Sequence, residues 1–254
     1  QKVITTSNED DVIPVFETWL PIELPKVPER SDHYILGLDG SIYDNLVFSL
    51  QAYYKSFSDI LGYNLNKYDA DDPDFSPGKG KSYGLETMFK FNYRKLFSWI
   101  SYSLSWAEKT INNITYPPRY DKRHLINILF GYEFDVDFSV ILNWEYSSGS
   151  PFTQIVGYMD RDNLSDLFVG NYQFNEGNTF PILGKKNGSR LPSYHRLDMT
   201  ISKSFMLSNK VKLNMEINVI NLYDRRNIFY YNRETGERIN MLPFMPSFSL
   251  GVEF

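Results

Sequence analysis

Residues 211–219 read VKLNMEINV. Val211, Leu213, Met215, Ile217 and Val219 fall on one side of an extended backbone and Lys212, Asn214, Glu216 and Asn218 on the other, because successive strand side chains point to opposite faces. The preceding segment sets Leu197, Met199, Ile201 and Phe205 against Arg196, Asp198, Thr200, Ser202 and Ser204. At the end of the chain Phe248, Leu250, Val252 and Phe254 oppose Ser247, Ser249, Gly251 and Glu253. The pattern predicts strands with one face in hydrocarbon and the other in water.

The same alternation runs back through the chain. Residues 2–6 are β-prone, and the following stretch carries Pro14, Pro21, Pro25 and Pro28, a density that predicts a long loop up to about residue 32. Tyr34, Leu36 and Leu38 then oppose His33, Ile35, Gly37 and Asp39. After a tight turn, Leu46, Phe48, Leu50, Ala52 and Tyr54 oppose Ser49, Gln51 and Lys55. Beyond the loop NLNKYDADDPDFSPGKG, Tyr83, Leu85, Phe89 and Phe91 oppose Gly84, Glu86, Lys90 and Asn92. A turn at 93–97 leads to Ile100, Tyr102, Leu104 and Trp106, set against Ser101, Ser103 and Ser105. A Pro-bearing loop at 112–122 follows, then Ile126, Ile128, Phe130, Tyr132 and Phe134, a turn at 135–137, and Phe138, Val140, Leu142 and Trp144. Residues 147–192 read as a long loop rich in Gly, Asn and Asp.

Connections thus alternate short and long, as in outer-membrane barrels. Counting the piece at 2–6 gives about ten strands of roughly 9 to 13 residues, long enough to cross a bilayer at a tilt. The expected fold is all-β, an antiparallel up-and-down transmembrane β-barrel, with Phe254 at the end that carries the short turns. A soluble β-sandwich alternates too, but its strands are usually shorter and its two ends alike. Tyr54, Trp106, Trp144 and Tyr146 near strand ends suit an interfacial aromatic girdle.

Composition narrows the function. Aromatic residues make up 17% of the chain, with 19 Tyr, 19 Phe and 4 Trp, which suits strands and membrane interfaces. A net charge of −5 and the absence of Lys/Arg clusters argue against a nucleic-acid partner. The chain has no cysteine, which removes disulfides and thiolate metal sites. No run of about eighteen apolar residues exists for a transmembrane helix, yet barrel strands average to moderate hydropathy, so that observation leaves a barrel open.

Candidate chemistry is sparse. His33, His124 and His195 each begin a strand on the long-loop side, but His33 shares the polar face while the other two share the apolar one, so we expect rim histidines rather than a metal site. Asp69, Asp71, Asp72 and Asp74, and the run Asp160, Asp162 and Asp166, offer oxygen ligands for Ca²⁺ but lack EF-hand spacing, and read as solvated loop acids. Asp39, Lys55, Glu86, Lys90, Glu133, Glu145, Arg196, Asp198, Lys212 and Glu216 share the water-facing side and could meet a plug or a solute. No Ser/His/Asp order or HExxH motif supports catalysis, so no catalytic, cofactor or metal residue is expected and the ligand-binding residues stay unassigned.

The phrases LPSYHRLDMTISKSF (191–205), INVINLYDRRNIFYYN (217–232) and LPFMPSFSLGVEF (242–254) closely resemble the end of TonB-dependent outer-membrane receptors, particularly those with a carboxypeptidase-like regulatory domain ahead of the plug. A terminal Phe after alternating apolar residues resembles the signal read by the barrel-assembly machinery. The resemblance implies an integral Gram-negative outer-membrane location and a barrel of roughly 22 strands filled by a plug. Residues 1–254 would be the C-terminal part of that barrel, with plug and signal peptide outside this chain. It further implies import of a scarce solute, captured on loops 6–31, 62–81, 109–122 and 147–192, and not enzymatic turnover. The implied partners are outer-membrane lipid, the receptor's own plug, a TonB-type energy coupler and a surface lipoprotein. A small passive porin, a structural outer-membrane partner in a larger complex and a soluble sugar-binding sandwich are the competing readings.

Overall fold

The computed structural model describes residues 3–6, 18–21, 28–64, 67, 69–161, 178–208, 210–232 and 235–254. Two short strands, β1 (Val3–Thr6) and β2 (Thr18–Pro21), pair with each other. The wall then begins with β3 (Arg30–Tyr43), β4 (Leu46–Tyr63), β5 (Phe75–Tyr93) and β6 (Leu96–Ile111). After the stub β7 (Ile114–Tyr116) it continues with β8 (His124–Asp135) and β9 (Phe138–Ser147). Four short strands lie in the next connection: β10 (Pro151–Phe152), β11 (Ile155–Arg161), β12 (Asn178–Leu183) and β13 (Ser189–Arg190). β14 (Tyr194–Ser208) and β15 (Val211–Ile220) resume the wall, the hairpin of β16 (Ile228–Tyr231) and β17 (Arg238–Asn240) rises from it, and β18 (Met245–Glu253) ends it.

The wall is one antiparallel ten-stranded sheet in the order β18-β15-β14-β9-β8-β6-β5-β4-β3, with β7 attached to β6. Its connections within the wall are up-and-down, and the sheet is not closed: among the described residues β3 and β18 each have a wall partner on one side only. The strand expected at residues 2–6 is not in this wall. It pairs instead with β2, inside the stretch whose prolines predicted only loop; Pro21 is tolerated because each strand of a two-stranded sheet is an edge.

Register places every alternating set on the side its sequence predicts. Leu197, Met199, Ile201 and Phe205 align with Trp144, Leu142 and Val140 of β9 and with Val219, Ile217 and Leu213 of β15. Arg196, Asp198 and Ser202 align with Glu145, Asn143 and Ser139 on the opposite face. A soluble sandwich would cover the apolar face, and here it is bare: Leu36 is 78%, Phe248 59% and Leu250 57% exposed. Among the described hydrophobic residues only Ile111, Tyr116 and Val219 are buried. A continuous apolar sheet face with no core beneath it is a bilayer surface, which rules out the sandwich.

Aromatic rings mark the two edges of that surface. Toward the long loops Tyr54 stacks with Tyr83 at 6.5 Å between centroids, Tyr83 with Trp106 at 5.4 Å, and Trp144 with Tyr146 at 6.1 Å. Toward the short turns Tyr132 meets Phe134 and Phe134 meets Phe138 at 4.7 and 5.0 Å. On this lower edge lies one departure from the alternation, Lys203, whose Nζ rests 5.7 Å from the Phe138 ring centre and 5.5 Å from that of Phe205. Its stem lies along the apolar face while its charge reaches the interface.

Beyond the upper girdle the strands do not stop. β4 and β5 stay paired from Tyr54↔Tyr83 out to Tyr63↔Phe75, so much of the loop expected at 62–81 is an upright hairpin. β6 likewise runs on to Ile111 and turns back into β7 through Asn112 and Asn113 at φ 50° and 61°, the two-residue turn whose twist matches antiparallel strands.

Candidate functional site

The water-facing side of the wall carries a hydrogen-bonded ladder. Arg196 pairs with Asp198 at 2.8 Å, and Tyr194 donates to Glu145 at 3.4 Å. Thr200 donates to Asn218 at 2.7 Å, Asn218 to Glu216 at 2.6 Å, Ser204 to Asn214 at 2.7 Å and Asn214 to Glu253 at 2.9 Å. Side chains held this way keep the face wetted and rigid. A shallow concavity of about 430 Å³ opens on the same face, between Ser49, Gln51, Glu86, Met88, Ser101 and Ser103.

That face is less uniformly polar than its sequence suggests. Trp99, Phe97, Leu129 and Ile141 share it by register, and Lys90 caps the Trp99 ring at 4.7 Å. Gly131 makes room for Phe97: a Cβ at residue 131 would lie 2.1 Å from the ring. These positions were not singled out because an apolar residue at a polar position in a strand reads as noise until the register is known.

At the long-loop end, buried polar side chains tie separate connections together. Asp121, 1% exposed at its side chain, accepts from the Ala107 backbone N–H at 2.8 Å and pairs with both Arg123 and Arg190. Arg190 also donates to the carbonyls of Asp121 and Gly149, at 2.7 and 3.1 Å. The Asn187 side chain donates to the Pro117 carbonyl at 2.9 Å. The connection before β8 is thereby fastened to the one before β14.

A second clamp explains the phrase NLYDRRN. Asn221, fully buried in the left-handed region at φ 56°, donates from its side chain to the carbonyls of Arg225 and Leu242 and accepts from the Arg225 N–H, while its own N–H donates to Asp198. Asn227 in turn exchanges hydrogen bonds with the backbone of His195. The turn, the top of β14 and the start of β18 are one unit.

The expected site residues fall as follows. His124 bonds Tyr102 at 2.9 Å, His195 bonds Tyr223 at 2.7 Å, and His33 sits beside Phe57, so the three histidines do not converge. Burial pushes the Tyr223 phenol above its ordinary range. Asp69 and Asp72 close a turn on themselves and Asp74 pairs with Lys67 at 2.7 Å, which is turn chemistry. Asp162 and Asp166 lie outside the described residues, as does the side chain of Asp160, and among the described residues no acid or histidine group has a metal-binding arrangement.

The clamped connections enclose a cavity of about 540 Å³. Its rings are Phe152, Tyr158, Phe229, Tyr230 and Tyr231, and its polar groups are Thr153, Gln154, Asn187, Asn232 and Arg119. Size and lining suit a small-molecule site. Only Pro-rich and Asn/Gly-rich loop was legible here, since the rings come from two segments about seventy residues apart that meet where Phe152 lies 6.3 Å from Tyr231 between ring centroids.

A family model described as TonB dependent receptor-like, beta-barrel matches residues 22–222. The chain belongs to that family. TonB-dependent receptor barrels are integral to the Gram-negative outer membrane, so the apolar face meets lipid, the short turns are periplasmic and the clamped connections extracellular. Comparison with curated proteins finds no sequence match. Among solved structures, the ferripyoverdine receptor of Pseudomonas aeruginosa superposes with a TM-score of 0.59 at 13% identity, over 89% of this chain and 27% of that one. The ferric-catecholate import receptor Fiu of E. coli K12 gives 0.58 at 16% identity, over 89% and 28%. The outer membrane transporter YddB of Escherichia coli gives 0.59 at 12%, over 92% and 33%. These likenesses are of fold, and the chain spans about a quarter to a third of each structure's length.

Proposed function

We propose that this chain is the C-terminal part of a receptor barrel that captures a scarce solute on its extracellular side and imports it by TonB-driven movement of a plug. The observation that carries the reading is the pairing of a lipid-facing wall with an aromatic cavity held rigid above the membrane by the Asp121 and Asn221 clamps. In this reading the remaining strands and the plug come from further chain, the polar ladder on β14, β15 and β18 lines the hydrated path, and no covalent chemistry is performed. The partners are the plug, the inner-membrane energy coupler and, over the extracellular rim, a surface lipoprotein.

The test works whatever the cargo is. Spent medium from wild-type cells, from a strain lacking this receptor and from one lacking TonB is compared by mass spectrometry. At least one solute consumed by the wild type should persist in both deletions. A solute that persists without the receptor but is consumed without TonB would make the barrel a passive porin.

A further inference from the structure

We infer that four apolar side chains on the water-facing side of β6, β8 and β9 form a fixed seat for the plug, and that the plug gives way along the flank formed by β14, β15 and β18. This deepens the receptor reading and rests on it. By register Trp99 stands beside Leu129, and in the next row Phe97 and Ile141 flank Gly131. The four make one contiguous patch beside the short turns, on the face away from lipid, and Trp99 is 49% exposed. Further strands that close the barrel leave this patch inside it, where only the contents of the lumen can cover it. A passing solute would cover it in transit alone, whereas a plug keeps it out of water at rest.

The relief of the patch suits the face of a packed domain. Gly131 lets the Phe97 ring lie against the strand, since a Cβ there would come within 2.1 Å of it, and Lys90 steadies Trp99 with its ammonium 4.7 Å from the ring centre. The matching plug surface is apolar. The patch stops between β9 and β14, where Ile141 stands opposite Thr200 and Asn143 opposite Asp198. Beyond that line the side chains satisfy one another: Thr200 is bonded to Asn218 and Asn218 to Glu216, and Ser204 to Asn214 and Asn214 to Glu253. Withdrawing a plug from this flank uncovers groups that keep their partners, so water replaces it at little cost. Withdrawing it from the patch returns contiguous apolar surface to water, which is unfavourable. A pull on the plug therefore opens the path along β14, β15 and β18 and leaves the seat closed.

These 254 residues hold no cysteine, so single thiols can be placed at will. Ile141→Cys and Asn218→Cys lie in one row on either side of the boundary, joined through Thr200. Each is made in the full-length receptor, and living cells with and without TonB are treated with a sulfonated dye maleimide too large for passive porins. Asn218→Cys should label at least fivefold faster when TonB is present, while Ile141→Cys should stay slow and change less than twofold. In a second arm Leu129→Asp, which puts a charge into the seat, should lower the inhibitory concentration of vancomycin at least fourfold, with Leu129→Met and Asn218→Ala unchanged; heat-shifted gel migration checks that each barrel is folded. The inference is overturned if both thiols gain label with TonB, if neither does, if Ile141→Cys labels readily without TonB, or if folded Leu129→Asp admits no more vancomycin than the wild type. In each of those cases TonB-dependent depletion of a solute from the medium decides the receptor reading on its own, so the seat fails separately from it.

Discussion

Leu50 and Gln51 are neighbours on β4 with opposite surroundings, and exchanging each for arginine tests the wall directly. Leu50 lies four positions from Leu46 at the lower edge and four from Tyr54 in the upper girdle, on the face where its neighbours across the sheet are Leu38 and Thr87. At about 3.4 Å per residue and a tilt near 40° it sits about 10 Å inside either edge, close to the midplane of a band about 25 Å tall. Leu50→Arg should therefore lower stability by about 2 to 4 kcal/mol, a shift of roughly 30- to 700-fold in the folding equilibrium. Gln51 points the other way and stands opposite Glu86. Gln51→Arg acquires water and a carboxylate partner, and its effect should stay within about 1 kcal/mol. The assay is guanidinium unfolding of the full-length receptor in dilauroyl phosphatidylcholine vesicles, comparing midpoints at constant slope. Equal effects of the two substitutions, or a larger effect at Gln51, would mean that the face we place in lipid does not meet it.

Further substitutions probe the clamps and the wall. Asp121→Asn leaves Arg123 and Arg190 without their shared carboxylate, and hydrogen exchange at residues 117–123 and 185–191 should accelerate by an amount worth about 1 to 3 kcal/mol, with the wall strands unchanged. Asn221→Ala removes three side-chain hydrogen bonds and puts alanine at φ 56°; stability from the unfolding midpoint should fall by about 2 to 4 kcal/mol, and Asn221→Gly should recover only the backbone share of that loss. Gly131→Ala drives a methyl into the Phe97 ring and should destabilise by about 1 to 3 kcal/mol in the same assay, while adding Phe97→Ala should give a coupling energy of opposite sign.

The membrane wall was legible because each crossing segment has two solvents to satisfy. Hydrocarbon on one side and water on the other force period-two alternation on β4, β8, β14 and β15, and the register keeps every facing so assigned. Above the girdle both faces of a strand meet water. The alternation then has no cause, which is why the outer parts of β4 and β5 read as loop and the Asn112–Asn113 hairpin passed for one. The candidate site was less legible still. Asp121, Arg190, Asn187 and Asn221 are ordinary polar residues in sequence, and their importance comes from partners up to seventy positions away. Lys203 was missed for a different reason: one lysine in an alternating strand looks like a lapse until Phe138 and Phe205 are seen beneath it.

That lysine also sets a length. Among the described residues it is the one Lys, Arg, Asp or Glu on the outward face from the upper girdle down to the lower, where it sits, and it lies eight positions below His195 on β14. At a tilt near 40° those eight positions span about 21 Å, somewhat less than the average hydrocarbon thickness and in keeping with the thin outer membrane. A thicker bilayer would have to drag the ammonium into the acyl chains or compress around the barrel, so the barrel carries its own measure of hydrophobic mismatch. In vesicles of increasing acyl length it should lose stability, and Lys203→Leu should let it tolerate the longer chains.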